Sequence, residues 1–348
     1  MMRIIALFFV TLFFAGCSST RVKQPAETFI NPVLPSGADP YSFYKDGYYY
    51  YTHSAQNKLI LWKTKSIAEL KNAEKKVVWT PPPHTAYSKE LWAPQIHFIN
   101  GKWYMYFAAD DGNNYNHRMY VIENASPDPM QGQWEFKGKV ADATNKWAID
   151  ADVFEHKGRL YMIWSGWEGN ENGQQNIYIA RMKNPWTIES ERVKISSPKL
   201  KWETHGRLPG QTPDQVNVNE GPQFLKHKDK IFIIYSASGC WTDHYTLGML
   251  STSADADLLN ATSWKKHPEP VFQAEPGSGV YAAGHNSFFK SPDGKEDWIL
   301  YHANSEPGQG CGGHRSPRAQ KFTWRKDGTP DFGKPLSTTQ SLVVPSKK

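Results

Sequence analysis

Asp39, Asp150 and Glu220 each head one short pattern: a carboxylate, three residues, then a phenylalanine that leads through a turn into an aromatic-rich strand. The copies read Asp39-Pro-Tyr-Ser-Phe43, Asp150-Ala-Asp-Val-Phe154 and Glu220-Gly-Pro-Gln-Phe224. Carboxylates brought together from one register repel one another and shift each other's proton affinity, which Ser or Asn would avoid. Hydrolysis of a glycosidic bond uses such a set. One carboxylic acid protonates the leaving oxygen, a carboxylate acts on the opposite face of the sugar, and a nearby anion keeps the acid protonated. A single loop Asp more often caps a turn or holds a stabilising cation; three in one register favour chemistry.

Two further copies lack the acid: Pro94-Gln-Ile-His-Phe98 and Gly284-His-Asn-Ser-Phe288. The pattern therefore recurs five times, at intervals of roughly 55 to 70 residues. Each hairpin precedes one or two more strand-like runs, such as KLILWKT, HRMYVIE, NIYIARM, YTLGMLS and RAQKFTW, giving about four strands per repeat. Helical periodicity is scarce, with room for one short turn at 66–74. Small sheets repeated at near-constant spacing protect their edges by packing around an axis. The expected fold is all-β, a five-bladed β-propeller with about four antiparallel strands per blade. A two-layer sandwich would leave the recurring register unexplained. In a propeller the first strand of each blade lines the central channel, so the three acids converge.

The 348 residues include 17 Phe, 17 Tyr and 14 Trp, enough for a large core and unlike a disordered chain. Net charge is +6, with Lys and Arg scattered through turns, which argues against a nucleic-acid partner. Arg3 and the apolar run 4–14, too short to span a bilayer, read as an export signal. Phe14-Ala15-Gly16-Cys17 resembles a bacterial lipobox, with Phe14 where Leu is usual. The expected division is a signal peptide over 1–16, a tether over 17–28 and a single propeller over 29–348. The resemblance implies a lipid on Cys17 that holds the exported protein to a membrane, in the periplasm or at the outer membrane; simple secretion is the alternative. Cys240 and Cys311 remain, either bridged or apart in separate sites.

The segments GADPYSF, AIDADVF and VNEGPQF, in that order on five repeats, resemble glycoside hydrolase family 43, the inverting arabinofuranosidases, arabinanases and xylosidases. The resemblance runs from about Asn31 to Val344. It implies Asp39 as the base that activates water, Glu220 as the acid, and Asp150 as the residue that raises the acid's pKa and orients it. Strand alternation would point Asp150 and Asp152 the same way, leaving Asp152 as the rival; the shared register favours Asp150. An inverting mechanism needs a water beside the base, hence carboxyls roughly 6.5–9.5 Å apart. Retaining fructoside-cleaving propellers carry an Asn-Asp-Pro-Asn motif that is absent here.

By the same resemblance, Trp92 in Leu91-Trp92-Ala93-Pro94 packs against the sugar, while the other tryptophans read as core. Arg315, followed by Trp324, Asp327, Gly328 and Pro330, reaches the sugar and the base, with Arg318 the alternative. His285 is the candidate ligand of a calcium-type cation held mostly through waters, a structural group that the chemistry does not require. The expected activity is exo-acting α-L-arabinofuranosidase on terminal linkages of plant cell-wall arabinan or arabinoxylan. β-Xylosidase and endo-arabinanase are the alternatives within the fold, and a non-catalytic glycan-binding propeller would lack one of the acids. The connection 197–219 either walls the pocket or is plain surface loop.

Overall fold

The computed structural model describes residues 26–206 and 216–347. The expected signal peptide, the lipidated Cys17 and most of the tether lie outside the described residues, as does the middle of the 197–219 connection.

Five antiparallel sheets follow one another along the chain. Blade 1 is built from Tyr41–Lys45, Tyr48–Thr52, Leu59–Thr64 and Glu74–Trp79. Blade 2 uses Lys89–Ile99, Lys102–Asp110, Arg118–Asn124 and Glu135–Val140. In blade 3, Ala148–His156, Arg159–Gly166 and Asn176–Asn184 carry a split outer edge, Thr187–Ile188 and Val193–Ser196. Blade 4 comprises Asn219–His227, Lys230–Ala237, Thr246–Ser253 and Lys265–Lys266. Blade 5 comprises Tyr281–Lys290, Asp297–Asn304, Ser316–Trp324 and Pro330–Asp331. The short helical turn is a 3-10 segment, Ile67–Asn72.

The inner hairpins close where two adjacent residues accept positive φ, Asp46-Gly47, Asn100-Gly101 and Lys157-Gly158. Such turns twist with the strands they join. The second strand of each blade is apolar nearly throughout, because both its faces are buried between neighbours. In blade 4, Ile231, Ile233 and Tyr235 pack with Phe154, Ile163 and Ile179 of blade 3, whereas Phe232 and Ile234 pack with Ile299 and Tyr301 of blade 5. Period-two alternation thus supplies two interfaces from one strand.

The ring is closed by its ends. Thr28–Phe29 pairs antiparallel with Leu342–Val343. The Asn31 side chain exchanges two hydrogen bonds with the Ala319 backbone, at 3.0 and 2.9 Å. Phe29, Val33 and Leu342 complete the apolar seam between blades 5 and 1. Cys240 and Cys311 are bridged, joining a blade 4 loop to a blade 5 loop.

Candidate active site

The innermost strands do not keep strict alternation. Their registers slip between Trp92 and Gln95, Ile149 and Asp152, Glu220 and Gln223, and Gly284 and Ser287. Asp39, Ala93, Asp150, Gly221 and His285 take positive φ at the corresponding places. A bulge of this kind re-aims the side chain beside it, and positive φ at a residue with a Cβ carries strain of about 1–3 kcal/mol. Four of those five positions carry such residues. The slip also separates the two rival acids, contrary to simple alternation. Asp150 lines the central cavity. Asp152 turns away, accepting the Phe224 N–H at 2.8 Å with His97 Nε2 at 3.8 Å.

All six expected site residues, Asp39, Trp92, Asp150, Glu220, His285 and Arg315, line this one cavity of about 720 Å³. Asp39 is set by five contacts. Its N–H donates to His302 Nδ1 at 3.0 Å, and Oδ2 accepts the Ser54 hydroxyl at 2.5 Å. On Oδ1 converge His285 Nδ1 at 3.2 Å, Arg315 Nη1 at 3.4 Å and His302 Nδ1 at 3.6 Å. Burial pushes this carboxyl up, but His285, Arg315, His302 and the Ser54 hydroxyl outweigh it and hold Asp39 well below the usual carboxylate range. Burial lowers both imidazoles in turn, so the lasting positive charge is the guanidinium.

Glu220 has the opposite setting. Burial is the main cause that raises it to about 7; the Tyr245 hydrogen bond opposes the rise and the Asp39 charge adds to it. Tyr245 Oη donates to Glu220 Oε1 at 2.8 Å. Asp150, anchored by the Gly221 N–H at 2.9 Å, is driven well above its ordinary value by burial and then by Glu220 and Asp39. Asp150 and Glu220 therefore share their protons as a pair. Asp152 is also raised by burial, to about 7, but outside the cavity lining.

One wall of the cavity is aromatic. Trp92 stacks on His117 at 3.9 Å, and Trp147 stacks on Trp167 at 4.8 Å. Trp147, Trp167 and Trp241 line the cavity too, a correction to their reading as core. Arg318 is fully buried against Asn304 and Ser305, which leaves Arg315 as the guanidinium of the site. At His285 the protein offers a calcium-type cation a single imidazole. Its Nδ1 faces Asp39 Oδ1 and a guanidinium shares that oxygen, so such a cation would be held mostly through waters. Calcium prefers several oxygen ligands.

Sequence reading missed Ser54, His302 and Tyr245. Ser54 had a signal: in a hairpin the end of the second strand returns to the start of the first, and the Ser54 N–H donates to Ala38 O at 3.0 Å. Tyr245 had none, because it precedes the third strand of blade 4 and reaches Glu220 through space left by Gly284, where a Cβ would collide with its ring.

Residues 29–330 match the sequence family described as "Glycosyl hydrolases family 43". The chain belongs to this family. Among its curated relatives is an "Extracellular exo-alpha-(1->5)-L-arabinofuranosidase" of Streptomyces avermitilis, 40% identical over 330 residues, 92% of this chain and 66% of the relative. A protein of the same description from Streptomyces chartreusis is 36% identical over 278 residues, 78% of this chain and 81% of the relative. The chain thus spans just under two thirds of the first relative's length. Among solved structures, the α-L-arabinofuranosidase from Lactobacillus brevis superposes with TM-score 0.82 at 38% identity, covering 89% of this chain and 98% of that one.

Proposed function

We propose that the chain is an exo-acting α-L-arabinofuranosidase that cleaves terminal arabinofuranosyl linkages of plant arabinan or arabinoxylan with inversion. One observation carries the reading: a single cavity holds a carboxyl kept well below its ordinary pKa, Asp39, and another raised to about 7, Glu220. Environments that push two carboxyls apart assign the base and the acid. Asp39 takes a proton from a water as that water's oxygen bonds to the anomeric carbon. On the opposite face the glycosidic C–O bond breaks, and Glu220 gives its proton to the departing oxygen. Solvent restores both groups. Asp150, whose carboxyl interacts with that of Glu220, modulates the acid, Arg315 keeps Asp39 ionised, and Trp92 packs on the sugar's C–H face. A structural calcium at His285 lies outside these steps, since Arg315 already supplies the positive charge beside Asp39.

The arabinofuranosyl specificity rests on the relatives' printed activities, and export on the word extracellular in two of their names. A lipid on Cys17 rests on the N-terminal segment alone. Purified chain should release arabinose from short arabino-oligosaccharides and para-nitrophenol from the α-L-arabinofuranoside. Release from the β-D-xylopyranoside instead would move the substrate to xylosides. Cleavage confined to the interior of linear arabinan would make it an endo-arabinanase. Binding of the oligosaccharides without release of any sugar would overturn the catalytic reading.

A further inference from the structure

We propose that the Cys240–Cys311 disulfide is a positioning element of the active site: it ties a glycine-rich strap of blade 5 to a braced loop of blade 4 and so holds the Arg315 guanidinium on Asp39. The inference rests on the role given to Arg315 in the proposed reaction.

The two loops differ in what they can hold by themselves. Residues 308–313 read Gly-Gln-Gly-Cys-Gly-Gly, so four of the six positions lack a side chain and their backbone has no strong preference of its own. Between Gly310 and Gly313 the one side chain is that of Cys311, and the bridge takes it. Ordinary hydrogen bonds grip the flanks of the strap. Both carboxylate oxygens of Asp243 accept the Gly308 N–H at 2.9 Å, Asn304 Nδ2 donates to Gly310 O at 2.9 Å, and the Ser36 hydroxyl donates to Gly313 O at 2.8 Å. The blade 4 loop is braced from within. Thr242 donates its hydroxyl to Ser238 O at 2.8 Å and its N–H to Gly239 O at 3.1 Å. The Ser238 hydroxyl donates to Trp202 O, and Trp241 Nε1 donates to Gly206 O at 2.9 Å. The Trp241 ring fills the space that a Cβ on Gly239 would need. Cys240 is thus a fixed post, and the middle of the strap takes its place from it.

The strap leads directly to the base. Cys240, Trp241, Cys311, Gly312, Gly313 and Arg315 all line the catalytic cavity. The carbonyl of Gly312, next to the bridged Cys311, faces the backbone N–H of Arg315 at 3.4 Å and its Nε at 3.5 Å. At the other end of the guanidinium, Nη1 meets Asp39 Oδ1 at 3.4 Å. A long side chain gives up much rotamer freedom to stay in such a place, and a carbonyl free to shift would not keep it there. The ring itself closes elsewhere, through Thr28–Phe29 against Leu342–Val343, so the propeller does not need the bridge for closure.

The test is a double-variant cycle on kcat/KM for an arabino-oligosaccharide. Cys240→Ser/Cys311→Ser should keep the circular dichroism of the unaltered chain and lose about tenfold in kcat/KM. In an Arg315→Ala background the same pair of substitutions should cost less than about twofold, because the group it positions is gone. A bridge that only stabilises the fold would give equal losses in both backgrounds; that result, or no loss in either, would overturn the proposal while leaving Arg315 in the reaction. Asp243→Ala loosens the strap with the bridge intact and should show the same dependence on Arg315 at about threefold. It decides the question if the serine pair does not fold, and an equal loss with and without Arg315 would again overturn the proposal. An Arg315→Ala enzyme with near-normal turnover would remove Arg315 from the reaction, and this inference with it.

Discussion

Blades 1, 3 and 4 carry a carboxylate at the register position, whereas blades 2 and 5 do not, although in all five a residue at or next to that position takes positive φ. At the register positions of blades 2 and 5 stand Pro94 and Gly284. Blade 2 contributes Trp92, two residues earlier, and blade 5 contributes His285 together with the gap that admits Tyr245. The repeat thus supplies five convergent places, and the departures from the repeat supply the differences that catalysis needs. Three equal acids would share one average proton affinity; here Arg315 holds Asp39 down while burial holds Glu220 up.

The largest effects should come from the acids themselves. Asp39→Asn and Glu220→Gln should fold with unchanged circular dichroism and lose about 10²–10⁴-fold in kcat on arabino-oligosaccharides; a variant keeping most of its turnover would remove that residue from the mechanism. The pH profile follows from the same contrast. Glu220 works protonated, so activity should fall as pH rises through about 7. Asp39 works ionised and is held well below the ordinary carboxylate range, so the acidic side should stay level through pH 4. An acidic limb centred near 4 to 5 would contradict the Arg315 account.

Within blade 3, Asp150→Asn should lower kcat about 10- to 100-fold and Asp152→Asn less than threefold, since only Asp150 lines the cavity. Equal losses would restore Asp152 as a rival. Between the two blades without an acid at the register position the contrast is smaller. Gly284→Ala puts a methyl into the Tyr245 ring and should lower kcat about tenfold, with a lower melting temperature. Pro94→Ala should leave turnover within about twofold, and a large loss there would mean that the blade 2 register carries more than its shape.

The propeller was legible because anchor phenylalanines and turn residues repeat, and repetition survives without contacts. The three acids were legible for the same reason. What the repeat cannot encode is a local break in it: the slip at Ile149–Asp152, which sends Asp150 and Asp152 to different surroundings, depends on backbone torsions that the residue types Ala and Asp do not demand. Tyr245 lay beyond reading because its place follows from an absent side chain two strands away in another blade. The Cys240–Cys311 bridge likewise needed the proximity of two loops, which composition does not give. Trp147 and Trp167 looked like core for a simple reason: they are buried against each other and still face the cavity.

The most direct measurement is proton NMR of the first sugar released from an α-L-arabinofuranoside, recorded before the anomers equilibrate. A water activated at Asp39 and a proton given from Glu220 on the opposite face predict arabinose appearing first as the β-anomer. Arabinose appearing first as the α-anomer would mean a covalent intermediate and would contradict the assignment of Asp39 as a base.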